Sequence, residues 1–261
     1  MNPYPIKQES AMAQSLVLLH GWGLNAAVWE SIKPQLEHAI PGSIDVHALD
    51  LPGFGDAQWK DELTDADAVA DYLADYIRTR TPTGQAAVLG WSMGGLLATT
   101  LALRHPQCVT GLYTVASSPC FVSRPGDGWP GMDPTVLKAF QAQLRDDFKT
   151  TLKRFLAVQA MGAPSARNDI KQLQALLLKK PLPVPEALQA GLNWLEKIDL
   201  RDKLSQLNMP FYRAYGRLDS LVPVAVASQI TSGDCEIFAS SAHAPFLNQP
   251  EDFIDWITAT M

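Results

Sequence analysis

The segment from residue 86 to 100, AAVLGWSMGGLLATT, restricts the possible folds of this chain more than any other. Ala86 to Gly90 is a short apolar run typical of a buried strand, and Gly94 to His105, which stops before Pro106, is typical of a helix. The motif Gly-x-Ser-x-Gly joins them, with Ser92 at its centre. Its glycines allow a strand to turn sharply into a helix, so the pattern predicts a tight turn that exposes the Ser92 hydroxyl.

Apolar runs bounded by Gly, Pro or Asp alternate with helical patterns along the chain. One helix is predicted to begin near Thr64, which is a suitable N-cap. Its Val69, Leu73 and Ile77 are predicted to share one face. A final helix is predicted to begin near Pro250. This alternation predicts an α/β fold with a mostly parallel central sheet, helices on both faces and ligands at the carboxyl ends of the strands. The predicted strands are Leu16 to Leu19, Ile44 to Leu49, Ala86 to Gly90, Val109 to Ala116, Phe211 to Tyr215 and Cys235 to Phe238.

The middle of the chain breaks this alternation. Between about Phe121 and Leu207 the sequence contains helical patterns punctuated by Pro and Gly, and no convincing strand. We therefore predict a core domain of residues 1–120 and 208–261, with residues 121–207 inserted as a helical cap over the active site, where substrate choice is often set. The predicted cap helices are Pro134 to Met161, Ala166 to Lys179 and Pro185 to Ile198.

A serine hydroxyl becomes a nucleophile at neutral pH when a base accepts its proton and an acidic group orients that base. Asp219 comes just after the predicted strand Phe211 to Tyr215, and His243 follows the strand Cys235 to Phe238. The order Ser, Asp, His is the one found in hydrolases whose nucleophile lies on a strand-to-helix turn. We predict Ser92 as nucleophile, His243 as general base and Asp219 as the residue that orients the histidine.

The segment His20-Gly21-Trp22-Gly23 follows the first predicted strand. We expect the backbone N–H groups of Trp22 and Met93 to form an oxyanion hole, in which each donor contributes on the order of 3 kcal/mol. The segment Asp50-Leu51-Pro52-Gly53-Phe54-Gly55 lacks the spacing and the lysine of a phosphate-binding loop. It is predicted to be a turn that shapes the site.

Composition argues against several other classes of protein. With 21 basic and 27 acidic residues the net charge is -6, so a general nucleic-acid binder is not expected. Three cysteines without CxxC spacing suggest neither a disulfide framework nor a zinc site, and no metal or cofactor is predicted. The few cysteines fit a reducing cytoplasm. Because the N-terminus lacks an apolar signal and the early run Leu16 to Leu19 is too short to span a bilayer, we expect a soluble protein without membrane contact. We also expect a monomer.

Positive charge concentrates locally within the predicted cap. Residues 145–180 contain eight basic and three acidic side chains, a local charge of 8 - 3 = +5 that leaves -11 elsewhere. Such a patch could steer an acidic partner, although a run of charges is more often a solvated helix face. The basic residues are Arg145, Lys149, Lys153, Arg154, Arg167, Lys171, Lys179 and Lys180.

Nearly the whole chain resembles one family, the pimeloyl-[acyl-carrier protein] methyl ester esterases of biotin synthesis, which have the α/β-hydrolase fold. The motifs HGWG and GWSMGG are shared by the wider superfamily, whereas VASSPCF, FLAVQAMG and the cap carry the narrower resemblance. The similar stretches are HGWGLN from His20, DLPGFG from Asp50, GWSMGG from Gly90, VASSPCF from Val115, FLAVQAMG from Phe155, YGRLDSLVP from Tyr215 and AHAPF from Ala242.

The resemblance implies a substrate: a pimeloyl chain joined by a thioester to an acidic acyl-carrier protein and methylated at its far end. It implies that Ser92 attacks the methyl ester and that the basic patch docks the carrier protein. Without the resemblance, Phe155 and Leu156 would be assigned to the core of an amphipathic helix. The implied substrate-binding residues are Trp22, Ser92, Met93, Phe155, Leu156, Ala157, Val158, Gln159 and His243, and the implied docking residues are Lys149, Arg154, Arg167 and Lys171.

Two other classes of function fit the same residues: a different enzyme of the same fold, and a receptor. A general short-chain carboxylesterase, or a hydrolase of carbon–carbon bonds, would use the same triad beneath a different cap. A ligand receptor without turnover could keep the hydrolase fold, although an intact triad and oxyanion motif argue against it.

Overall fold

Six parallel strands form the central sheet in the computed structural model, which describes residues 14–42 and 44–261. The strand order is β2-β1-β3-β4-β5-β6. Every predicted strand is present, with its ends shifted by at most two residues, because apolar runs bounded by turn residues bury well within a parallel sheet. The strands are β1 (Gln14–Leu19), β2 (Ile44–Leu49), β3 (Ala86–Trp91), β4 (Val109–Val115), β5 (Phe211–Gly216) and β6 (Asp234–Phe238).

The sheet changes its direction of growth between β1 and β3. The chain passes from β1 to β2 on one side and then returns to place β3 on the other side of β1, where Leu19 pairs with Gly90. The loops that follow β1 and β3 therefore leave the sheet side by side, and such a switch point is where open α/β sheets bind ligands.

Helices cover both faces of the sheet. On one face α2 packs on α3, and on the other α1 packs on α10. The N-cap of α2 is Asp65, not the predicted Thr64: the Asp65 carboxylate accepts the Asp67 N–H at 3.0 Å, while the Thr64 hydroxyl donates to the Asp61 carbonyl in a preceding 3-10 turn. The helices outside the insertion are α1 (Lys33–Ala39), α2 (Ala66–Arg80), α3 (Met93–Arg104), α8 (Ala225–Gln229), α9 (Pro245–Asn248) and α10 (Pro250–Thr260).

Four helices lie between β4 and β5, in the segment predicted to form the cap. The single predicted helix from Pro134 to Met161 is wrong, because the helix breaks at Asp147. The Asp147 backbone is extended, and its carboxylate accepts hydrogen bonds from the N–H and hydroxyl of Thr150, which caps the second helix. The four helices are α4 (Pro134–Asp146), α5 (Phe148–Ala160), α6 (Ala166–Leu177) and α7 (Pro185–Lys197).

Residues 14–42 and 44–261 contain neither a membrane-spanning helix nor a cluster of side chains suited to a metal ion. No helix in this part of the chain is both long and apolar enough to cross a bilayer. Nor do three or more His, Cys, Asp or Glu side chains within it gather in an arrangement that could hold a metal ion.

Candidate active site

Ser92 lies on a strained turn between β3 and α3. Its φ of 55° and ψ of -121° fall in a region that non-glycine residues rarely occupy, at a cost of about 1–3 kcal/mol. A bond from its N–H to the Val115 carbonyl (2.9 Å) helps to hold the turn. The flanking glycines permit close approach: a Cβ on Gly90 would lie 2.2 Å from the Gly94 carbonyl oxygen, and one on Gly94 would lie 2.6 Å from the Leu19 oxygen. Only glycine fits at these two positions.

The structure brings Ser92, His243 and Asp219 together in one row. The Ser92 Oγ is 2.8 Å from His243 Nε2, and His243 Nδ1 is 2.7 Å from Asp219 Oδ2. Because a carboxylate only accepts hydrogen bonds, Nδ1 carries the proton, and Nε2 is free to accept the proton of the serine. Ser92 is 2% exposed and His243 is 1% exposed, so these contacts are shielded from solvent and the prediction of an exposed Ser92 hydroxyl is wrong. This geometry suits a serine activated by a general base.

The second oxygen of Asp219 fixes the carboxylate in place. Its Oδ1 accepts the N–H groups of Leu221 (2.8 Å) and Val222 (3.0 Å), which form the turn after β5. The carboxylate therefore cannot rotate without losing two hydrogen bonds, and Oδ2 stays aimed at the imidazole.

Met93 directly follows Ser92, and Trp22 follows Gly21, where an added Cβ would lie 3.3 Å from the Ser92 Cβ. Within the described residues, neither backbone N–H donates a hydrogen bond to another protein group. The Trp22 indole donates to the Leu188 carbonyl of α7 at 2.9 Å. The same helix touches both residues, because a Cβ on Gly191 would lie 2.6 Å from the Trp22 ring and 2.8 Å from the Met93 sulfur. These two backbone N–H groups are therefore available to donate hydrogen bonds to an oxyanion.

His20 joins two loops beneath the site, a role that the sequence analysis did not assign. Its Nε2 accepts the Leu51 N–H at 3.0 Å, and its Nδ1 lies 2.9 Å from the Gly21 carbonyl. Burial lowers the pKa of His20 to about 4, so the ring is neutral at physiological pH. No local pattern in the sequence shows that the loop after β1 meets the loop after β2.

Asp50 extends this junction to the inserted helices. Its carboxylate accepts the backbone N–H groups of Ala26 (2.7 Å) and Asp56 (2.9 Å), and it pairs with Lys180 (2.7 Å) in the linker between α6 and α7. Burial acts to raise the pKa of Asp50, but the hydrogen bonds from Lys180 and the two amides outweigh it and hold the pKa below its usual value. The segment beginning at Asp50 is thus a turn that connects the loop after β1 to the linker between α6 and α7.

The stretch from Phe155 to Gln159 runs along α5 and divides between two faces. Phe155 packs edge-on against the Trp22 ring at 4.6 Å between centroids, and Leu156 is also buried. Ala157 faces solvent and is not brought to the site, and Val158 is half-buried. The Gln159 backbone carbonyl accepts the His243 N–H at 3.3 Å. Its side-chain amide is 1% exposed, and neither polar atom has a partner among the described residues.

The basic residues between positions 145 and 180 do not all remain available for a partner. Lys179 pairs with Glu30, and Lys180 pairs with Asp50 and also with Asp56 at 3.0 Å, so these two lysines hold the linker onto the core. The exposed cations that remain include all four residues implicated in docking. These are Lys149 and Arg154 on α5, and Arg167 and Lys171 on α6.

Comparison with known proteins connects this geometry to a family. The sequence model described as the alpha/beta hydrolase fold matches residues 14–250. A pimeloyl-[acyl-carrier protein] methyl ester esterase from Aeromonas hydrophila is 46% identical over 246 residues, covering 93% of each chain. Proteins with the same name from Vibrio campbellii (47% over 254 residues, 94% of each chain) and Serratia marcescens (46% over 250 residues, 94% of this chain and 93% of the relative) match as well. This chain belongs to the pimeloyl-[acyl-carrier protein] methyl ester esterase family.

Solved structures resemble the fold of this family member. An esterase from Exiguobacterium antarcticum superposes with a TM-score of 0.81 at 24% identity, covering 95% of this chain and 92% of the other. A bromoperoxidase from Bacillus anthracis gives the same TM-score at 17% identity, covering 96% and 92%. Because enzymes of different chemistry share this architecture, these likenesses establish the α/β-hydrolase fold alone.

Proposed function

We propose that this chain hydrolyses pimeloyl-[acyl-carrier protein] methyl ester to methanol and pimeloyl-[acyl-carrier protein], a step of biotin synthesis, with Ser92, His243 and Asp219 as its catalytic triad. One observation carries the proposed chemistry: Ser92 Oγ, His243 Nε2, His243 Nδ1 and Asp219 Oδ2 form a continuous row with contacts of 2.8 and 2.7 Å. Family membership, at 46–47% identity to esterases of this name, supports the choice of substrate.

The first half of the reaction forms an acyl-enzyme. His243 Nε2 takes the hydroxyl proton as Ser92 Oγ bonds to the carbonyl carbon of the methyl ester. The negative charge passes to the carbonyl oxygen, which the N–H groups of Trp22 and Met93 receive. The intermediate then collapses: the bond to the methoxy oxygen breaks, and methanol leaves with the proton from His243.

Water completes the cycle. His243 takes a proton from a water molecule as the water oxygen bonds to the acyl carbon. The second tetrahedral intermediate expels Ser92 Oγ, which recovers its proton from His243, and the distal carboxylate of the pimeloyl chain is released. Throughout, Asp219 remains ionised and stabilises the imidazolium form of His243.

Burial beneath the inserted helices offers a reason why the thioester survives. We propose that residues 121–207 act as a cap that keeps the carrier protein outside, so that only the far end of the acyl chain reaches Ser92, which is 2% exposed. The unpaired Gln159 amide supports substrate binding here, because leaving a buried polar group without a partner costs about 1–3 kcal/mol that a ligand can recover. Cleavage of the pimeloyl thioester at a rate similar to that of the methyl ester would contradict this arrangement.

The exposed cations of α5 and α6 are proposed to dock the acidic carrier protein. Lys149, Arg154, Arg167 and Lys171 lie on two adjacent helices of an otherwise acidic chain. Charge complementarity of this kind acts mainly on the association rate and weakens with salt.

The assignment is tested with purified protein and the carrier-bound methyl ester, measuring methanol release. We expect kcat/KM for this substrate to exceed that for a free short-chain methyl ester, and Ser92→Ala to remove turnover by a factor on the order of 10⁶ while the protein stays folded by circular dichroism. Ser240→Ala, an exposed serine near His243, is the control and should match the wild type. Equal kcat/KM for both esters would instead favour a general short-chain carboxylesterase.

The docking surface is tested by charge reversal. A variant with Arg154→Glu, Arg167→Glu and Lys171→Glu should lose at least tenfold in kcat/KM for the carrier-bound ester at low salt, with little change for the free ester. The matched control reverses Lys33, Lys60 and Arg80, which lie outside residues 121–207. An equal loss on both substrates would show that the cations of α5 and α6 are structural.

A further inference from the structure

A buried carboxylate lies on the inner side of α6, opposite the cations proposed to dock the carrier protein. Asp169 is 3% exposed, whereas Arg167 and Lys171, two residues to either side, are exposed. Among the described residues no Lys, Arg or His pairs with Asp169, and its recorded side-chain partners are the neutral groups of Ser165 and Asn248. Burying a carboxylate without a cation is costly, so a compensating role is expected at this position.

The partners of Asp169 lead directly to the catalytic histidine. Its Oδ2 accepts the Ser165 hydroxyl at 2.8 Å and the Asn248 side-chain N–H at 2.7 Å. The other end of the Asn248 amide, Oδ1, accepts the backbone N–H of Ala242 at 3.0 Å. Ala242 immediately precedes His243, so three hydrogen-bonded groups connect α6 to the backbone of the general base.

Backbone and side-chain contacts also hold the loop around Ala242 on its other sides. A Cβ on Gly216, at the end of β5, would lie 1.8 Å from the Ala242 carbonyl oxygen, so the two backbones are in direct contact. On the far side of His243, its own carbonyl accepts the Trp91 indole N–H at 2.6 Å. The Asn248 amide is thus the side chain that supports the loop of His243 on the side that faces α6.

We propose that Asp169 and Asn248 are positioning residues, which hold His243 in line with Ser92 and make its placement depend on helix α6. Asp169 orients the Asn248 amide, and the amide fixes the Ala242 peptide, which sets where the imidazole points. A misplacement of about 1 Å at a general base can cost up to 100-fold in rate, so the loss of either side chain should appear in kcat. The inference rests on the proposed triad, but it does not depend on the identity of the acyl chain.

The test uses the full chain with a free p-nitrophenyl ester and a fluorophosphonate that reacts with activated serines. We expect Asp169→Ala and Asn248→Ala to lower kcat roughly tenfold with less than a twofold change in KM, and to slow fluorophosphonate labelling to a similar degree. Asp169→Asn keeps an acceptor for Asn248 and should restore most of the rate. Asn168→Ala, an exposed neighbour on α6, is the matched control.

Circular dichroism and the urea midpoint, measured with each variant, separate positioning from folding. Unchanged kcat and labelling in a folded Asn248→Ala protein would overturn the inference, as would a loss confined to KM or one shared by Asn168→Ala. If Asp169→Ala does not fold, Asn248→Ala and Asn248→Asp decide the question, because the aspartate cannot donate to Asp169 and would repel it. Failure of the carrier-bound ester to react would refute the substrate assignment but leave these measurements valid.

Discussion

The two oxygens of Asp219 have separate partners, and this separation determines which nitrogen of His243 carries a proton. Oδ1 receives two backbone N–H groups, and Oδ2 faces the imidazole. The turn after β5 therefore imposes on the carboxylate the orientation that leaves His243 Nε2 unprotonated towards Ser92.

Asp219→Asn should inactivate the enzyme with little disturbance of the fold. The N–H groups of Leu221 and Val222 will hold the amide oxygen, which turns the NH₂ group towards His243 Nδ1. That nitrogen must then accept, so Nε2 carries the proton and can no longer take one from Ser92. We expect kcat to fall by a factor on the order of 10⁴ with KM nearly unchanged, measured at pH 8 on a free ester. Asp202→Asn, at an exposed aspartate, serves as control, and a loss below tenfold would show that Asp219 does not set the tautomer.

At the scale of single residues, the sequence predicts which side chains follow the end of a strand. It does not predict contacts between residues that are far apart in the chain. Ser92, Asp219 and His243 could be placed because each follows an apolar run by a few residues, and parallel strands bring their carboxyl ends to one edge. The link between Asp169 and Asn248 could not, because the two residues are 79 positions apart and neither lies in a local motif.

Helix α7 is the inserted helix that contacts both Trp22 and Met93. Gly191 faces the Trp22 ring and the Met93 sulfur, and Leu188, one turn earlier, receives the indole N–H. The sequence predicts this helix from its periodicity, but an amphipathic pattern does not show which side chains it will meet. The helical pattern does not reveal the break at Asp147 for a related reason, since local capping by an aspartate interrupts an otherwise continuous helical pattern.

Gly191→Ala tests this packing by the sign of its effect. In an unobstructed helix the change would stabilise the protein by about 1 kcal/mol, because alanine has the higher helix propensity. Here a methyl group would overlap the Trp22 ring and the Met93 sulfur, so we expect a loss of about 1–3 kcal/mol in the free energy of unfolding. Displacement of Trp22 should also lower kcat roughly tenfold. Urea titration and ester kinetics measure the two effects, with Glu186→Ala on the exposed side of α7 as control. A more stable, fully active variant would contradict the contact.

At the scale of the whole molecule, a polar network connects the inserted helices to the loops after β1 and β2. His20 holds the loop after β2 through Leu51, Asp50 in that loop holds Ala26 after β1, and Lys180 joins Asp50 to the linker between α6 and α7. The loop after β1, which carries Trp22, and the linker between α6 and α7 are thus joined by polar contacts through the loop after β2. Within this network, burial opposes ionisation most strongly at His20. The stability of these contacts should therefore depend on pH through His20.

His20 should make the folded state less stable as the solution becomes acidic. The pKa of the ring is about 4 in the folded protein and about 6.5 in the unfolded chain, so between these values the unfolded state binds a proton that the folded state does not. The free energy of unfolding therefore decreases as pH falls from about 6.5 to 4, with about 2–3 kcal/mol due to this residue, and its contribution levels off below pH 4. Above pH 7 the same residue should have no effect on the pH dependence.

His20→Gln isolates this contribution, because the glutamine oxygen can accept the Leu51 N–H in place of Nε2 but does not titrate. All other ionisable residues are the same in both proteins, so their contributions cancel when the two pH profiles of the free energy of unfolding are subtracted. We expect the variant to lose less stability than the wild type between pH 7 and 4.5, whatever its stability at pH 7. Parallel profiles would mean that the ring accepts a proton in the folded protein, and the bond from Leu51 to an unprotonated Nε2 would then be wrong.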